Sequence, residues 1–171
     1  VCPRPATALD VAALEVSVAD HRFRVRFEAV VAAPVERVAR VLTDYAGYAS
    51  LDPRIRTSEI LSSAGAGQAL IRTSIRACAA FFCRTVRRTE QVTQRGDRLV
   101  ATVVPGGSDV RYGVTVTQWR GDPGGTRVWY RSEFEPGFWV PEVVARRYAA
   151  ASLRDSVRQL FENVEDKARV R

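Results

Sequence analysis

Residues 141–168, PEVVARRYAAASLRDSVRQLFENVEDKA, contain apolar side chains that recur on one helical face. Pro141 and Glu142 favour a helix start, and the pattern predicts a helix to about Ala168, about 28 residues and about 42 Å long at 1.5 Å per residue. A single long amphipathic helix needs one apolar surface to pack against, and the concave face of a curved sheet supplies it. The predicted apolar stripe consists of Val143, Ala150, Leu153, Val157, Leu160, Phe161, Val164 and Ala168.

The preceding sequence supplies that sheet. Residues 11–18 alternate weakly, and residues 23–31 alternate strongly between apolar and charged side chains, which predicts two strands. Pro34 then begins a short helix, and one more helical turn is expected in 44–53. Turn-forming clusters interrupt residues 54–135 at intervals typical of six consecutive antiparallel strands. The prediction is an α+β fold in which a curved antiparallel sheet wraps around the C-terminal helix, with a flexible tail at 1–11 and one domain at 12–168.

Composition excludes several classes of function. Hydrophobic residues make up 46% of the 171 residues, which is typical of a folded protein, and no apolar run is long enough to span a bilayer. The single histidine, His21, cannot form an HExxH zinc site. Glu133 and Glu135 alternate with arginines and apolar residues, which favours outward ion pairing over acid–base chemistry. We therefore predict no catalytic set, no metal and no cofactor.

The basic excess is carried almost entirely by arginine. The net charge is +7, and every one of the 26 basic residues except Lys167 is an arginine. Such a charge is compatible with RNA binding, but the arginines are spread over many predicted strands. Nucleic acid is therefore not the favoured partner.

Cysteine positions suggest an oxidising compartment. Cys78 and Cys83 face each other across the last rung of a predicted hairpin, where the Cβ separation suits a disulfide; two reduced buried cysteines are the alternative. Cys2 lies in the Pro-rich tail. The 171 residues contain no methionine, so they do not begin at a natural initiator. Together these features predict an exported, periplasmic protein whose signal peptide was removed, with the cytoplasm as the alternative.

Two short segments resemble a known family. FEAVVAAPVERV at 27–38 and VLTDYAGY at 41–48 are similar to the opening of the polyketide cyclase and coenzyme Q-binding branch of the START-like (SRPBCC) helix-grip superfamily. The resemblance covers roughly residues 20–168. It implies a helix-grip fold with a ligand cavity between the sheet and the long helix.

Strand parity locates the mouth of that cavity. Alternate turns of an antiparallel meander share one end, so the tips at 79–82 and 105–108 are predicted to meet the connection at 137–140. Four aromatic side chains are predicted at this end. They either form an apolar mouth, which would admit a lipid-like ligand or contact a membrane, or fold inward and plug the end of the barrel. They are Phe81, Phe82, Phe138 and Trp139.

Parity also predicts the residues that line the cavity. Three strands are predicted to point every second side chain inward, starting from the first residue of the ranges 71–77, 110–116 and 128–134. The polar side chains among them would orient a ligand. If Val86 and Val92 point inward, Arg88 and Glu90 do too, either as a polar site in the cavity or as a solvated edge. On the helix, Arg146 either reaches an anionic head group or extends to water. The predicted polar ligand-binding residues are Thr73, Arg88, Tyr112, Tyr130, Ser132 and Arg146.

Three classes of function remain open at this stage. The favoured hypothesis is non-catalytic binding or transport of a hydrophobic small molecule such as a lipid, isoprenoid or polyketide. The first alternative is an enzyme of the polyketide cyclase or aromatase kind. The second is a macromolecule-binding module resembling the ribosome-association toxins of the superfamily. The sequence predicts neither the ligand's identity nor an oligomeric state.

Overall fold

The sheet contains eight antiparallel strands. The computed structural model describes residues 9–65, 67–79 and 82–170. The strands follow the spatial order β1-β2-β8-β7-β6-β5-β4-β3, so the sheet is a meander that β1 and β2 extend at the β8 edge. Their bounds are Asp10–Ala19 (β1), Arg22–Val31 (β2), Ile55–Ser63 (β3), Gln68–Ala79 (β4), Phe82–Arg95 (β5), Arg98–Val103 (β6), Val110–Asp122 (β7) and Gly125–Pro136 (β8). This arrangement confirms the predicted α+β fold with a curved antiparallel sheet.

β1 begins inside the predicted tail. Asp10 pairs with Val30, and Val11 pairs with Ala29, so the sheet starts two residues before the predicted domain boundary. The tail residues 1–8, which include Cys2, lie outside the described residues.

Four helical segments accompany the sheet in the described part of the chain, one of them a 3-10 turn at Pro105–Gly107 between β6 and β7. Helix α1, Val35–Thr43, follows Pro34, and a short 3-10 helix, Tyr45–Ser50, comes next, as the sequence predicts. Helix α2 spans 29 residues at 142–170. It consists of an α-helical turn at Glu142–Val144, a π-helical turn at Ala145–Ala149 and a regular α-helix at Ala150–Val170. No helix among the described residues is long and apolar enough to cross a membrane.

The C-terminal half of α2 packs tightly on the concave face of the sheet. The ring of Phe161 stacks on that of Phe27 with their centroids 4.6 Å apart, and Tyr130 meets Phe161 edge-on at 5.7 Å. Phe27 and Phe161 are each only 1% exposed. Aromatic side chains bury large apolar areas, so this contact fixes the helix to the sheet.

The end of α2 is also hydrogen-bonded to the corner that follows β2. The buried Glu165 carboxylate accepts a hydrogen bond from the Ala32 amide at 2.8 Å and pairs with Arg169. The Thr126 hydroxyl donates to the Ala33 carbonyl at 2.7 Å. At Gly125 the backbone φ is 138°, and a Cβ there would lie 2.2 Å from the Val31 carbonyl oxygen, so only glycine fits. The VAAP segment therefore holds the helix end in place.

The first turns of α2 depart from the predicted stripe. Val143 is 71% exposed, whereas Ala145 and Ala150 are buried. A π turn inserts one extra residue per turn and so rotates the side chains that precede it relative to those that follow. The prediction that Val143 belongs to the apolar stripe is therefore wrong, and small alanines occupy the buried positions of this half of the helix.

The stacked pair predicts a large stability difference between two positions on α2. Phe161→Ala removes the ring that stacks on Phe27 and should lower the free energy of unfolding by about 3–5 kcal/mol. The matched control, Val143→Ala, removes an exposed side chain and should change it by less than about 0.5 kcal/mol. Equilibrium denaturation in urea measures both values. A loss below about 1 kcal/mol for Phe161→Ala would contradict the packing described above.

Candidate functional site

One end of the domain gathers several chain connections. The Asp109 amide donates to the Arg87 carbonyl, and the Gly137 amide donates to the Asp109 carbonyl, each at 2.8 Å. These bonds join the start of β5, the β6–β7 connection and the segment after β8, as strand parity predicts. We call this end of the domain the mouth; its described residues are 19–22, 78–79, 82–87, 104–111 and 136–146.

A disulfide closes the hairpin at the mouth. Cys78 and Cys83 are direct cross-strand partners in the β4–β5 register, and their sulfur atoms are bonded. The predicted disulfide is confirmed. Phe81, predicted as a mouth aromatic, lies outside the described residues.

The three described mouth aromatics divide between the two open interpretations. Phe82 and Trp139 are 66% and 78% exposed. Phe138 is half-buried against the small apolar cluster of Val86, Val103 and Val110. The Arg84 guanidinium covers the Phe138 ring at 4.3 Å from its centroid. Thus Phe138 closes part of the interior, while Phe82 and Trp139 project into solvent.

A cavity of about 190 Å³ opens between the first turns of α2 and the sheet at the mouth. Arg146 lies at its rim, where its side chain is 62% exposed and pairs with Glu142 at 2.8 Å. Arg146 therefore extends to water rather than into the interior. The cavity is lined by Val18, Ala19, Asp20, His21, Phe23, Pro136, Phe138, Val140, Glu142, Ala145 and Arg146.

Deeper on the concave face, polar side chains form a layer between two apolar clusters. On β5, Arg88 and Glu90 lie between Val86 and Val92, and β7 and β8 repeat this order. The cluster on the mouth side contains Val86, Val103 and Val110, and the main core lies on the other side. We call the polar layer the polar belt; it consists of Thr73 on β4, Arg88 and Glu90 on β5, Thr115 on β7, and Tyr130 and Ser132 on β8.

Arg88 and Glu90 confirm the inward orientation that parity predicts. Glu90 is 7% exposed, and its Oε1 atom pairs with the Nη2 atom of Arg88. Thr73 stands directly opposite Arg88 in the β4–β5 register and is 4% exposed. Pairing the two charges offsets much of the free energy that their burial requires.

Two atoms of the polar belt lack a hydrogen-bond partner. Among the buried side-chain polar atoms of the described residues, only Thr73 Oγ1 and Arg88 Nε have none. Buried polar groups in folded proteins are almost always hydrogen-bonded, because an unsatisfied one costs about 1–3 kcal/mol. These two unsatisfied atoms belong to residues that face each other across β4 and β5.

The other three belt residues, Thr115, Tyr130 and Ser132, are hydrogen-bonded and uncharged. Thr115 Oγ1 and Ser132 Oγ are 2.9 Å apart and share a hydrogen bond. Burial raises the pKa of the Tyr130 phenol above its ordinary value, although the Arg88 charge acts in the opposite direction. Burial likewise raises the pKa of Tyr48, whose hydroxyl donates to the Leu42 carbonyl at 2.7 Å. Both phenols therefore stay protonated near neutral pH.

Tyr112 does not belong to the interior. The register of β7 shifts between Val110 and Tyr112, and this bulge reverses the side-chain parity of the strand that follows. Tyr112 therefore lies on the convex face, where the Arg22 guanidinium covers its ring at 4.8 Å. The predicted inward positions Tyr112, Val114 and Val116 are wrong, and the inward positions are instead Gly113, Thr115, Thr117 and Trp119.

Sequence reasoning misses two members of the site. Thr115 is assigned to the outer face because the apolar residues at every second position from Val110 to Val116 predict that this apolar set points inward. Tyr48 belongs to the LTDYAGY segment, whose aromatic spacing marks the family but gives no sign of its position next to the belt. The convex-face ion pairs of Glu133 with Arg22 and Arg24 agree with the predicted outward pairing. No group of three His, Cys, Asp or Glu side chains within the described ranges could hold a metal ion.

The unsatisfied hydroxyl predicts opposite effects for two buried threonines. Thr73→Val removes a group without a partner and should leave the free energy of unfolding unchanged or raise it by about 1 kcal/mol. Thr115→Val removes the partner of Ser132 and should lower it by about 1–3 kcal/mol. Denaturant unfolding of both variants tests this. Similar losses at the two positions would show that the Thr73 hydroxyl is satisfied within the protein.

Comparisons with known proteins agree with this architecture. A solved protein from Thermus thermophilus matches with a TM-score of 0.71 and 20% identity over 86% of this chain and 97% of its own. Zhui aromatase/cyclase from Streptomyces sp. R1128 matches with a TM-score of 0.66 and 20% identity over 88% and 97%. A STAR-related lipid transfer protein from Xanthomonas axonopodis matches with a TM-score of 0.63 and 16% identity over 92% and 99%. Identities this low show a shared fold alone.

The sequence comparisons differ in outcome. A search among curated protein sequences found no match. The family model described as "polyketide cyclase / dehydrase and lipid transport" matches residues 22–165, which is most of the chain. The eight-stranded sheet, the long α2 helix and this match agree with one another, and the chain belongs to that family within the START-like (SRPBCC) superfamily.

Proposed function

We propose that the chain binds a hydrophobic small molecule between the sheet and α2, with the molecule entering at the mouth. The unpartnered Thr73 Oγ1 and Arg88 Nε atoms carry this proposal, because they lie within an otherwise apolar interior. Ligand sites in proteins combine apolar walls with a few convergent polar groups, and the polar belt between its two apolar clusters has this composition. Lipid transfer and cyclase proteins of the same fold support the same class of ligand.

The path from solvent to the polar belt begins at the mouth cavity. Phe23 and Phe138 line that cavity, and Phe138 also contacts the apolar cluster that borders the belt. The π turn of α2 contacts β4, the strand that carries Thr73. Ala145, in that turn, is buried and lines the cavity. We infer that a ligand moving from the cavity to the belt passes this small side chain.

The ligand would enter the protein from an anionic membrane surface that contacts the mouth. Phe82 and Trp139 project from the mouth, and the side chains of Arg87 and Arg111 at the same end are each 69% exposed. Exposed aromatics beside basic residues favour the interface of an anionic bilayer. The Cys78–Cys83 disulfide is compatible with an exported protein, where such a surface is accessible.

A cyclase-type enzyme is the second candidate. Tyr130 is kept protonated by burial and lies within the electrostatic reach of Arg88 and Glu90, so the belt contains a proton donor beside a charged pair. General acid–base chemistry on a bound polyketide needs such a donor. Native mass spectrometry of the purified protein separates the two candidates: an unmodified lipid favours carriage, whereas turnover of an added poly-β-ketone favours catalysis.

Narrowing the mouth cavity should weaken ligand binding. Ala145→Leu places a larger side chain in the cavity wall and should reduce the affinity for the neutral fluorescent probe 1-N-phenylnaphthylamine by about tenfold, or about 1.4 kcal/mol. Ala151→Leu makes the same change at an exposed position of α2 and serves as the matched control. Fluorescence titration gives both affinities, and circular dichroism confirms folding. Failure of the unmodified protein to bind any apolar probe would contradict the proposed function.

Removing the exposed mouth aromatics should abolish membrane contact. The double variant Phe82→Ser, Trp139→Ser should lose about tenfold or more in partitioning to vesicles of phosphatidylglycerol and phosphatidylcholine. The control, Ile60→Ser with Val170→Ser, removes two other exposed apolar side chains and should partition like the unmodified protein. Co-sedimentation measures the partitioning. Equal losses in both double variants would place the membrane contact elsewhere.

A further inference from the structure

The polar belt contains one charge of each sign. Arg88 and Glu90 pair with each other, and the other belt residues, Thr73, Thr115 and Ser132, carry no charge. Tyr130 completes the belt as a neutral phenol, since burial raises its pKa. The interior next to the belt is therefore electrically balanced before any ligand enters.

The unpartnered atoms define what a ligand must offer. Arg88 Nε–H can only donate a hydrogen bond, whereas the Thr73 hydroxyl can donate or accept. An oxygen atom that accepts from both groups satisfies them together. A carbonyl or a hydroxyl oxygen meets this requirement without bringing a net charge.

A carboxylate could accept hydrogen bonds from the same donors, but its binding would be less favourable than that of a neutral oxygen. The positive charge of Arg88 is already paired with Glu90, so a second carboxylate would add an uncompensated negative charge to a buried site. Glu90, 7% exposed, has little water to screen it from that added charge. The pair that makes Arg88 tolerable in the interior therefore also disfavours anions.

We infer that the interior selects a neutral hydrophobe bearing a ketone or alcohol oxygen over a fatty-acid anion, and that Glu90 is the residue that sets this preference. The inference rests on the proposed function and names the chemical class of its ligand. Arg88 Nε–H and Thr73 Oγ1 hold the ligand oxygen, while Glu90 neutralises Arg88 and repels a carboxylate.

Matched twelve-carbon probes test the preference. Displacement of 1-N-phenylnaphthylamine is measured with 2-dodecanone, 1-dodecanol and dodecanoate at pH 8, below the critical micelle concentration of each probe. The unmodified protein should bind the ketone and the alcohol about tenfold or more tightly than the anion. Glu90→Gln retains the shape of the side chain and an oxygen acceptor for Arg88, and it should shift the ratio about tenfold or more towards the anion.

Two further variants locate the effect. Glu133→Gln makes the same change on the convex face, where Glu133 pairs with Arg22 and Arg24, and should leave the ratio unchanged. If Glu90→Gln does not fold, the double variant Arg88→Gln, Glu90→Gln removes both charges together. It should lose ketone affinity without gaining affinity for dodecanoate.

The outcomes separate the two proposals. Dodecanoate binding as tightly as the ketone to the unmodified protein overturns the neutral-ligand inference but leaves the proposed function standing. The same holds if anion binding disappears in Arg146→Gln and is unaffected by Glu90→Gln, because the head group would then lie at the mouth. Absence of binding by all three probes and by the fluorescent reporter overturns the proposed function and this inference with it.

Discussion

The stacking of Phe161 on Phe27 fixes one half of α2 to the sheet, and the rest of the site depends on that attachment. Glu165 reinforces it by accepting the Ala32 amide hydrogen, so the C-terminal end of the helix cannot move without breaking buried contacts. The other half contains a π turn and buries Ala145 and Ala150. The helix is thus held firmly at its C-terminal end, while a cavity of about 190 Å³ lies beside its first turns.

Under the proposed function, the polar belt is a compromise between stability and binding. Folding alone would favour apolar residues at Arg88 and Glu90, because even a paired buried charge contributes little net stability. Thr73 Oγ1 and Arg88 Nε remain without partners in the protein itself. A chain that retains unsatisfied groups in its core has features that packing does not explain, and sites of binding are where such features concentrate.

The sequence predicts which segments form strands and helices better than it predicts which face of each element is buried. Strong alternation in β2, the facing positions of Cys78 and Cys83, and the inward pair on β5 all followed from a period of two, which holds wherever a strand is regular. Tyr112 was misplaced because a single bulge reverses the faces of the strand that follows it, and bulges leave little trace in the alternation of apolar residues. Val143 was misplaced because a π turn rotates one end of the helix. The polar site was thus predictable on β4, β5 and β8 but not on β7, where the bulge turns Thr115 inward.

The most direct test of the central claim is the NMR signal of the Arg88 Nε–H group. Arg88→Lys removes this signal and so assigns it among the many arginines. Adding 2-dodecanone to ¹⁵N-labelled protein should shift the Arg88 Nε–H resonance and slow its exchange with water, because the ligand oxygen becomes its partner. An unchanged Arg88 resonance under conditions where the ketone displaces the fluorescent probe would contradict the claim that the polar belt receives the ligand.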